Sequence, residues 1–219
     1  MSITQFTIPL WADLSAVAIA AMGGAIYAAR DDDERLDLFG VGLVGTAAAL
    51  GGAFLRDTLL NVSPAVLSNN WYLPVAAAAA LVGMALERLI KRLDLTWAIL
   101  DALTIGLYAA IGMTKALGAG LPTLPATFVG CAAAVGGSAI RDILLGAPVA
   151  MLRVGSLYAV AAAAGTIALA VAIGLGAGVA VSASICVIVT TIVRTGSLRY
   201  GWSLPAQRAW EFQRRRKRR

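Results

Sequence analysis

The apolar positions of this chain form long uninterrupted blocks, and charged or proline-containing segments separate them. A helix needs about 20 consecutive apolar residues to cross the hydrocarbon of a bilayer. The last block, 154–193, is too long for one crossing, and "GLGAG" at 174–178 marks a hairpin within it. The pattern therefore predicts seven transmembrane helices, over residues 10–29, 39–60, 71–90, 95–117, 124–145, 154–173 and 177–193.

The composition agrees with a membrane protein. Hydrophobic residues make up 59% of the chain and charged residues only 14%, and the mean hydropathy is +0.80. Soluble domains carry far more charge. The 23 glycines, together with many alanines, favour helices that pack closely against one another in lipid.

The net charge of +6 comes from one end of the chain. From Arg194 onward there are nine basic residues against one acidic residue, and the sequence ends "RRRKRR". A nucleic-acid-binding surface would need a basic folded face beside this tail, and the sequence shows none. The prediction is a cytoplasmic tail that fixes topology near anionic lipid, with no nucleic acid as partner.

The basic residues of the loops predict an orientation. If the tail is cytoplasmic, the inside loops 30–38, 87–94 and 146–153 carry six Lys or Arg residues. The outside segments carry only Lys115. This bias predicts a multi-pass protein of the cell inner membrane, with its N-terminus outside and its C-terminus in the cytoplasm.

The chain contains an internal repeat. "GGAFLRDTLL" (51–60) recurs as "GGSAIRDILL" (136–145), 85 residues later. Asp13 and Asp101 fall near the start of the first helix of each repeat. Because each repeat has three spans, the second enters the membrane from the opposite side, an arrangement typical of proteins that move solutes. The predicted units are a first three-helix repeat (1–93), a second (94–174), a seventh helix (175–195) and the basic tail (196–219).

Each copy of the repeated motif combines helix-weakening glycines with charges inside a span. Glycine pairs are common kink sites, and each arginine follows the second glycine of its pair by four residues, so its guanidinium is expected to bond carbonyls that the kink releases. The adjacent aspartates would partly neutralise the arginines, and charges within a membrane point to function. The alternative is a tight-packing glycine pair with an arginine that anchors at the interface. The residues concerned are Gly51, Gly52, Arg56 and Asp57 in the first copy, Gly136, Gly137, Ser138, Arg141 and Asp142 in the second, and the further charges Asp13, Asp101 and Lys115.

Two segments carry a resemblance to a known family. "DLFGVGLVGTAAALGGAFLRDTLLNVSP" (37–64) and "LPATFVGCAAAVGGSAIRDILLGAP" (124–148) resemble the two signature segments of the prokaryotic trimeric intracellular cation (TRIC) channels. The resemblance implies a homotrimer with one pore per protomer, lined by the kinked second and fifth helices and conducting monovalent cations such as K⁺. The family's kink glycines fall on Gly51, Gly52, Gly136 and Gly137, and its pore-side charges on Arg56, Asp57, Arg141 and Asp142. Where the family often has a third glycine, this chain has Ala53 and Ser138, so a polar group remains only at the second kink.

Other chemistry is not indicated. Cys131 and Cys186 lie in apolar runs without a CxxC motif, and the chain has no histidine, so neither a metal site nor a cofactor is predicted. Ser138 has no identifiable partner base, which argues against an enzyme. No carbonyl-lined filter motif such as TVGYG is present, so Na⁺ is expected to permeate beside K⁺, with membrane lipid as a further ligand.

A second function stays open on the residues alone. A secondary carrier for a small amino acid such as glycine would also use inverted repeats and broken helices. In that interpretation Arg56 or Arg141 would bind the carboxylate of the substrate. The sequence does not decide between channel and carrier.

Overall fold

A computed structural model describes residues 8–30, 36–90, 94–152 and 157–203, and all regular structure within these ranges is helical. The elements are α1 (Leu10–Ala29), α2 (Leu38–Leu59), α3 (Ala65–Ser68), α4 (Tyr72–Ile90), α5 (Asp94–Gly118), α6 (Thr123–Leu144), a 3₁₀ turn (Ala150–Leu152), α7 (Tyr158–Gly174) and α8 (Val179–Tyr200). Seven of these helices are long, which confirms the predicted all-α membrane fold. Five have the length and hydropathy to cross a bilayer, and Tyr72–Glu87 and Tyr158–Gly174 are apolar but shorter.

The last helix is longer than predicted. The sequence placed the seventh span at 177–193 and its domain at 175–195, whereas α8 continues to Tyr200 and ends at Gly201, whose φ of 65° only glycine adopts easily. Residues 196–200, predicted as tail, therefore belong to the helix. The predicted span ends before the first charged residue, Arg194, but the buried face of α8 continues through that residue. The segment 204–219 lies outside the described residues.

Helices within each repeat pack through small residues at matching positions. A Cβ added to Gly24 of α1 would lie 3.2 Å from the Cα of Gly45 on α2. A Cβ added to Gly112 of α5 would lie 3.0 Å from the Cα of Gly130 on α6. Because lipid tails are as apolar as the helices, close backbone approach of this kind supplies the packing attraction that holds membrane helices together.

The two repeats meet where α2 crosses α6, at the glycine pairs. A Cβ on Gly52 would lie 2.5 Å from the carbonyl oxygen of Ala133, and one on Gly137 would collide with the carbonyl oxygen of Ala48. The contact on α6 moves backward along the chain as the contact on α2 moves forward, so the helices are antiparallel. This confirms the inverted relation of the two repeats.

The helix outside the repeats, α8, packs against the second one. A Cβ at Gly106 of α5 would lie 3.0 Å from the Cα of Val187, and one at Gly165 of α7 would lie 2.8 Å from the carbonyl oxygen of Cys186. Among the described residues, α8 therefore packs mainly against the second repeat. Through this contact α8 adds a charged side chain, Arg194, to those of the second repeat.

Candidate functional site

The glycine pairs of the repeated motif lie in the centre of the protein. Both α2 and α6 continue through their pairs as helices without interruption. The second glycine of each pair lets a carbonyl oxygen of the opposite helix approach, and the first makes room for a side chain of that helix, Ile140 or Leu55. The pairs therefore serve close packing at the crossing. The hydroxyl of Tyr108, on α5, donates a hydrogen bond of 2.6 Å to the carbonyl oxygen of Ala49, one turn before the first pair.

At one end of the crossing lies a set of ionic side chains that we call the first cluster: Asp13, Arg56, Asp57 and Lys115. Arg56 is fully buried; its Nη1 lies 3.2 Å from Asp13 Oδ1 and its Nε 2.7 Å from Asp57 Oδ1. Lys115 Nζ lies 2.7 Å from Asp57 Oδ1, and the hydroxyl of Tyr72 donates to Asp13 Oδ2 at 2.6 Å. Two acids meet two bases, so the cluster is formally neutral, as a buried group of charges must be.

At the other end lies the second cluster: Asp101, Arg141, Asp142 and Arg194. Arg141 donates from Nε and Nη2 to Asp142 Oδ1, at 2.9 and 2.7 Å. Arg194, on α8, lies 3.2 Å from Asp101 Oδ2, and the hydroxyl of Tyr158 donates to Asp101 Oδ1 at 3.2 Å. This cluster also pairs two acids with two bases.

The motif aspartates have a structural role that is the same in both repeats. Asp57 Oδ2 accepts a hydrogen bond of 2.8 Å from the backbone N–H of Ala65, and Asp142 Oδ2 accepts one of 2.7 Å from that of Ala150. Ala65 begins α3, and Ala150 begins the 3₁₀ turn. Each aspartate thus ties its own helix to the short helical segment that follows.

The two arginines of the motif have different surroundings. All three donor nitrogens of the Arg56 guanidinium bond carboxylates. In Arg141 only Nε and Nη2 bond carboxylates of the described residues, and the guanidinium carbon lies 3.8 Å from the ring centroid of Tyr27 on α1, a cation–π contact. Arg194 lies in the same way over the ring of Tyr158, at 4.7 Å.

A small cavity of about 30 Å³ adjoins the second cluster. Its volume suits about two water molecules. Alanine and glycine residues of three helices, α1, α2 and α6, line it, together with polar groups of α5, α6 and α7. The lining residues are Ala20, Gly23, Gly24, Ala48, Asp101, Thr104, Tyr108, Ala133, Ala134, Gly137, Ser138, Arg141 and Tyr158.

The structure corrects one expectation about the motif. The guanidinium groups of Arg56 and Arg141 were predicted to bond carbonyls released by the glycines, and within the described residues they bond carboxylates instead. The carbonyl beside the first pair is bonded by Tyr108. Ser138 donates to the carbonyl oxygen of Val135 at 2.9 Å and lines the cavity.

The sequence indicated most of the charged residues of the two clusters but not several of the side chains that bind them. Tyr72 and Tyr158 occupy matching places near the start of the third long helix of each repeat, a signal that the internal repeat contains. Arg194 continues the buried stripe of α8 formed by Cys186 and Thr190, at helical spacing. Tyr27 had no signal of its own.

Comparison with known proteins places the chain among membrane proteins. The family described as "Glycine transporter" matches residues 10–88 and 98–174. The UPF0126 membrane protein of Deinococcus radiodurans is 38% identical over 157 residues, covering 71% of this chain and 72% of that protein. The UPF0126 inner membrane protein YadS of Escherichia coli K12 is 31% identical over 199 residues, covering 89% and 94%.

Solved structures of TRIC channels share the fold. The orthologue from Rhodobacter sphaeroides superposes with a TM-score of 0.79 at 25% identity, covering 88% of this chain and 98% of that one. A second TRIC cation channel gives a TM-score of 0.78 at 27% identity, covering 92% and 98%. The chain belongs to the TRIC channel family. The UPF0126 relatives are named membrane proteins, and this TRIC family protein, with its several apolar helices, is a multi-pass membrane protein.

Proposed function

We propose that this TRIC family member is a cation channel that conducts monovalent cations, with one pore per protomer between α2 and α6. One observation carries the proposal: two neutral charge clusters occupy opposite ends of an antiparallel helix crossing whose centre is made of glycines and backbone carbonyls. Related structures are of TRIC cation channels. Carbonyl oxygens can replace the hydration shell of K⁺, which suits a path along this crossing.

In this proposal the path between α2 and α6 is closed in the conformation described. The carbonyl oxygens of Ala48 and Ala133 point into the glycine contacts, and Tyr108 bonds that of Ala49. Conduction would therefore need α2 and α6 to separate at Gly52 and Gly137, so that water reaches these carbonyls. We propose K⁺ as the main permeant ion with Na⁺ also conducted, since "TVGYG" is absent from the sequence.

Single-channel recording of the purified protein in planar bilayers tests the proposal. With a KCl gradient, discrete current steps that reverse near the K⁺ potential are expected. Replacement of K⁺ by Na⁺ should shift that reversal only modestly. Smooth or absent currents in every condition, from protein that is folded and assembled, would contradict a channel.

We also propose that the chain forms a homotrimer, because the family's solved structures are of channels named trimeric. The exposed faces of the helices carry large apolar side chains, including Phe128, Ile188 and Ile192, which suit either lipid or a neighbouring subunit. Light scattering of the detergent-solubilised protein should give three chains per particle. A monomer at all protein concentrations would remove this part of the proposal.

We also propose an inner-membrane location, which the name of YadS as an inner membrane protein supports, and an orientation with the N-terminus outside, which the basic residues of the loops support. Arg56 and Arg141 lie at opposite ends of the crossing, and we place the Arg56 end outside. Single cysteines at Ser68, after α2, and at Ala150, after α6, should therefore react with an impermeant thiol reagent from opposite sides of intact cells or vesicles. Reaction of both from the same side would exclude the inverted topology.

Lys115 is the member of the first cluster with the most access to solvent, with 32% of its side chain exposed. Lys115→Met removes a positive charge beside Asp57 at the proposed outer mouth, so cation conductance should rise. Ions entering a mouth respond to its fixed charge, so the increase should shrink at high salt. Lys115→Arg is the matched control and should conduct like the parent. Equal conductance of Lys115→Met and parent at low salt would contradict an outer mouth here.

A second candidate is a carrier for a small amino acid. The family's description as glycine transporters supports it, as does the cavity, where Arg141 could bind a carboxylate and Asp101 an ammonium group. Proteoliposomes that contain only buffer should then take up labelled glycine at a rate that saturates with glycine concentration. Bilayer recordings of the same protein should show no current steps. If labelled glycine enters no faster than it leaks into protein-free liposomes, the protein is not a glycine carrier.

A further inference from the structure

The two repeats differ at one corresponding contact. In the first repeat Arg56 binds Asp13 through both Nη atoms, at 3.2 and 3.4 Å. The corresponding pair in the second repeat is Arg141 and Asp101, and no hydrogen bond joins them within the described part of the chain. Asp101 is bound instead by Arg194, from Nε and Nη2 at 3.3 and 3.2 Å.

The replacement has a consequence for Arg141. Its guanidinium turns to the ring of Tyr27, 3.8 Å away, and lines the cavity together with Asp101. Arg141 remains 95% buried. A buried carboxylate needs a cationic partner, and here Arg194 supplies it to Asp101 while Arg141 supplies it to Asp142.

We propose that Arg194, on the helix outside the repeats, is a positioning residue that occupies Asp101 and thereby keeps Arg141 at the wall of the cavity. Without Arg194, Arg141 would bridge to Asp101 as Arg56 bridges to Asp13, and would close the cavity. At this arginine–aspartate contact the two ends of the crossing are then unlike because of α8 and not because of the repeats themselves. This inference rests on the proposed pore only for its effect on conduction.

Thiol accessibility tests the position of Arg141 without any need for conduction. Ser138→Cys places a thiol in the cavity wall, in a background with Cys131→Ala and Cys186→Ala, and methyl methanethiosulfonate is a small neutral probe for it. Adding Arg194→Gln should slow modification by roughly tenfold, the scale of a typical coupling between sites. Arg199→Gln, on the exposed face of the same helix, is the matched control and should leave the rate unchanged.

A double variant separates positioning from general damage. Asp101→Asn together with Arg194→Gln removes the carboxylate that would attract Arg141, so the parent rate should return. Equal rates in Arg194→Gln and parent would overturn the inference, and so would a slow rate that persists in the double variant. If Arg194→Gln fails to assemble, whether or not the double variant does, Arg141 does not take over Asp101 and the inference is also overturned.

Recordings of the same variants connect the inference to the pore. Arg194→Gln should make currents at positive and negative voltages more nearly equal, because both ends would then hold the same arginine–aspartate bridge. The labelling experiment tests the position of Arg141 and the recordings test the channel, so either can fail without the other. If every variant labels as expected and none conducts, the position of Arg141 stands and the proposed channel falls.

Discussion

Replacing Arg56 with alanine will destabilise the folded protein by about 3–5 kcal/mol, the cost of leaving buried carboxylates without their partner. Arg56 is fully buried and binds both Asp13 and Asp57. Lys115 still contacts Asp57 in the variant, whereas among the described residues Asp13 keeps only the hydroxyl of Tyr72. The midpoint of thermal unfolding in detergent should fall accordingly.

Two comparisons identify the cause of that loss. Arg56→Met with Asp13→Asn removes both charges of the pair and should recover a large part of the stability, since breaking a buried pair costs more than deleting it. Arg199→Ala removes an exposed arginine and should change the midpoint little. A double variant no more stable than Arg56→Ala would show that the ion pair is not the source of the effect.

The same substitution should change gating in whatever fraction of the protein still assembles. The first cluster ties α1, α2, α4 and α5 together through Arg56 and its carboxylates, so its loss should favour separation of α2 from its neighbours. We expect a higher open probability for Arg56→Ala than for Arg141→Ala. The physical reason is that Arg141 binds one carboxylate, whereas Arg56 binds two. Single-channel recording on trimer isolated by size-exclusion chromatography measures the difference, and an equal response of the two variants would contradict it.

Gly52→Ala and Gly137→Ala will each destabilise the packing of α2 against α6 by about 1–3 kcal/mol, the usual cost of overpacking. The new Cβ would meet a backbone carbonyl in both cases, that of Ala133 or that of Ala48. Backbone cannot rotate away as a side chain can, so the helices must move apart. Leucine at either position should prevent the native crossing and abolish conduction.

Gly42→Ala is the matched control for the glycine variants. Gly42 also lies within α2, and among the described residues a Cβ there would meet nothing within 4 Å. Alanine is the better helix former, by about 1 kcal/mol, so this variant should be as stable as the parent or more stable. Thermal unfolding of the three alanine variants measures the contrast. If Gly137→Ala and Gly42→Ala behave alike, the glycine contact does not hold the crossing together.

Much of the fold follows from the sequence because a bilayer leaves few choices. Backbone groups in lipid must be satisfied within the chain, so a long apolar block becomes a helix, and a block too long for one crossing becomes two. The duplicated motif then requires an inverted repeat, since three spans reverse the direction of the chain. Ala53 and Ser138 even marked which copy would be more polar, and Ser138 lines the cavity.

The charges were visible in the sequence, but their partners were not. Arg56 and Asp13 are 43 residues apart, and Arg194 and Asp101 are 93 apart; only packing of the helices decides which base meets which acid. The role of the glycines was decided in the same way. A glycine pair in a single helix predicts a kink, yet a close crossing needs the same pair, and the difference lies in whether another backbone approaches. The sequence alone determined the number of long helices, the repeat and the buried charges other than Arg194, because these depend on local composition and spacing. The tertiary structure alone decided the close crossing at the glycines, the hydrogen bond of Tyr108 to Ala49, and the binding of Asp101 by Arg194 instead of Arg141. Each of these depends on a neighbour that is distant in the chain.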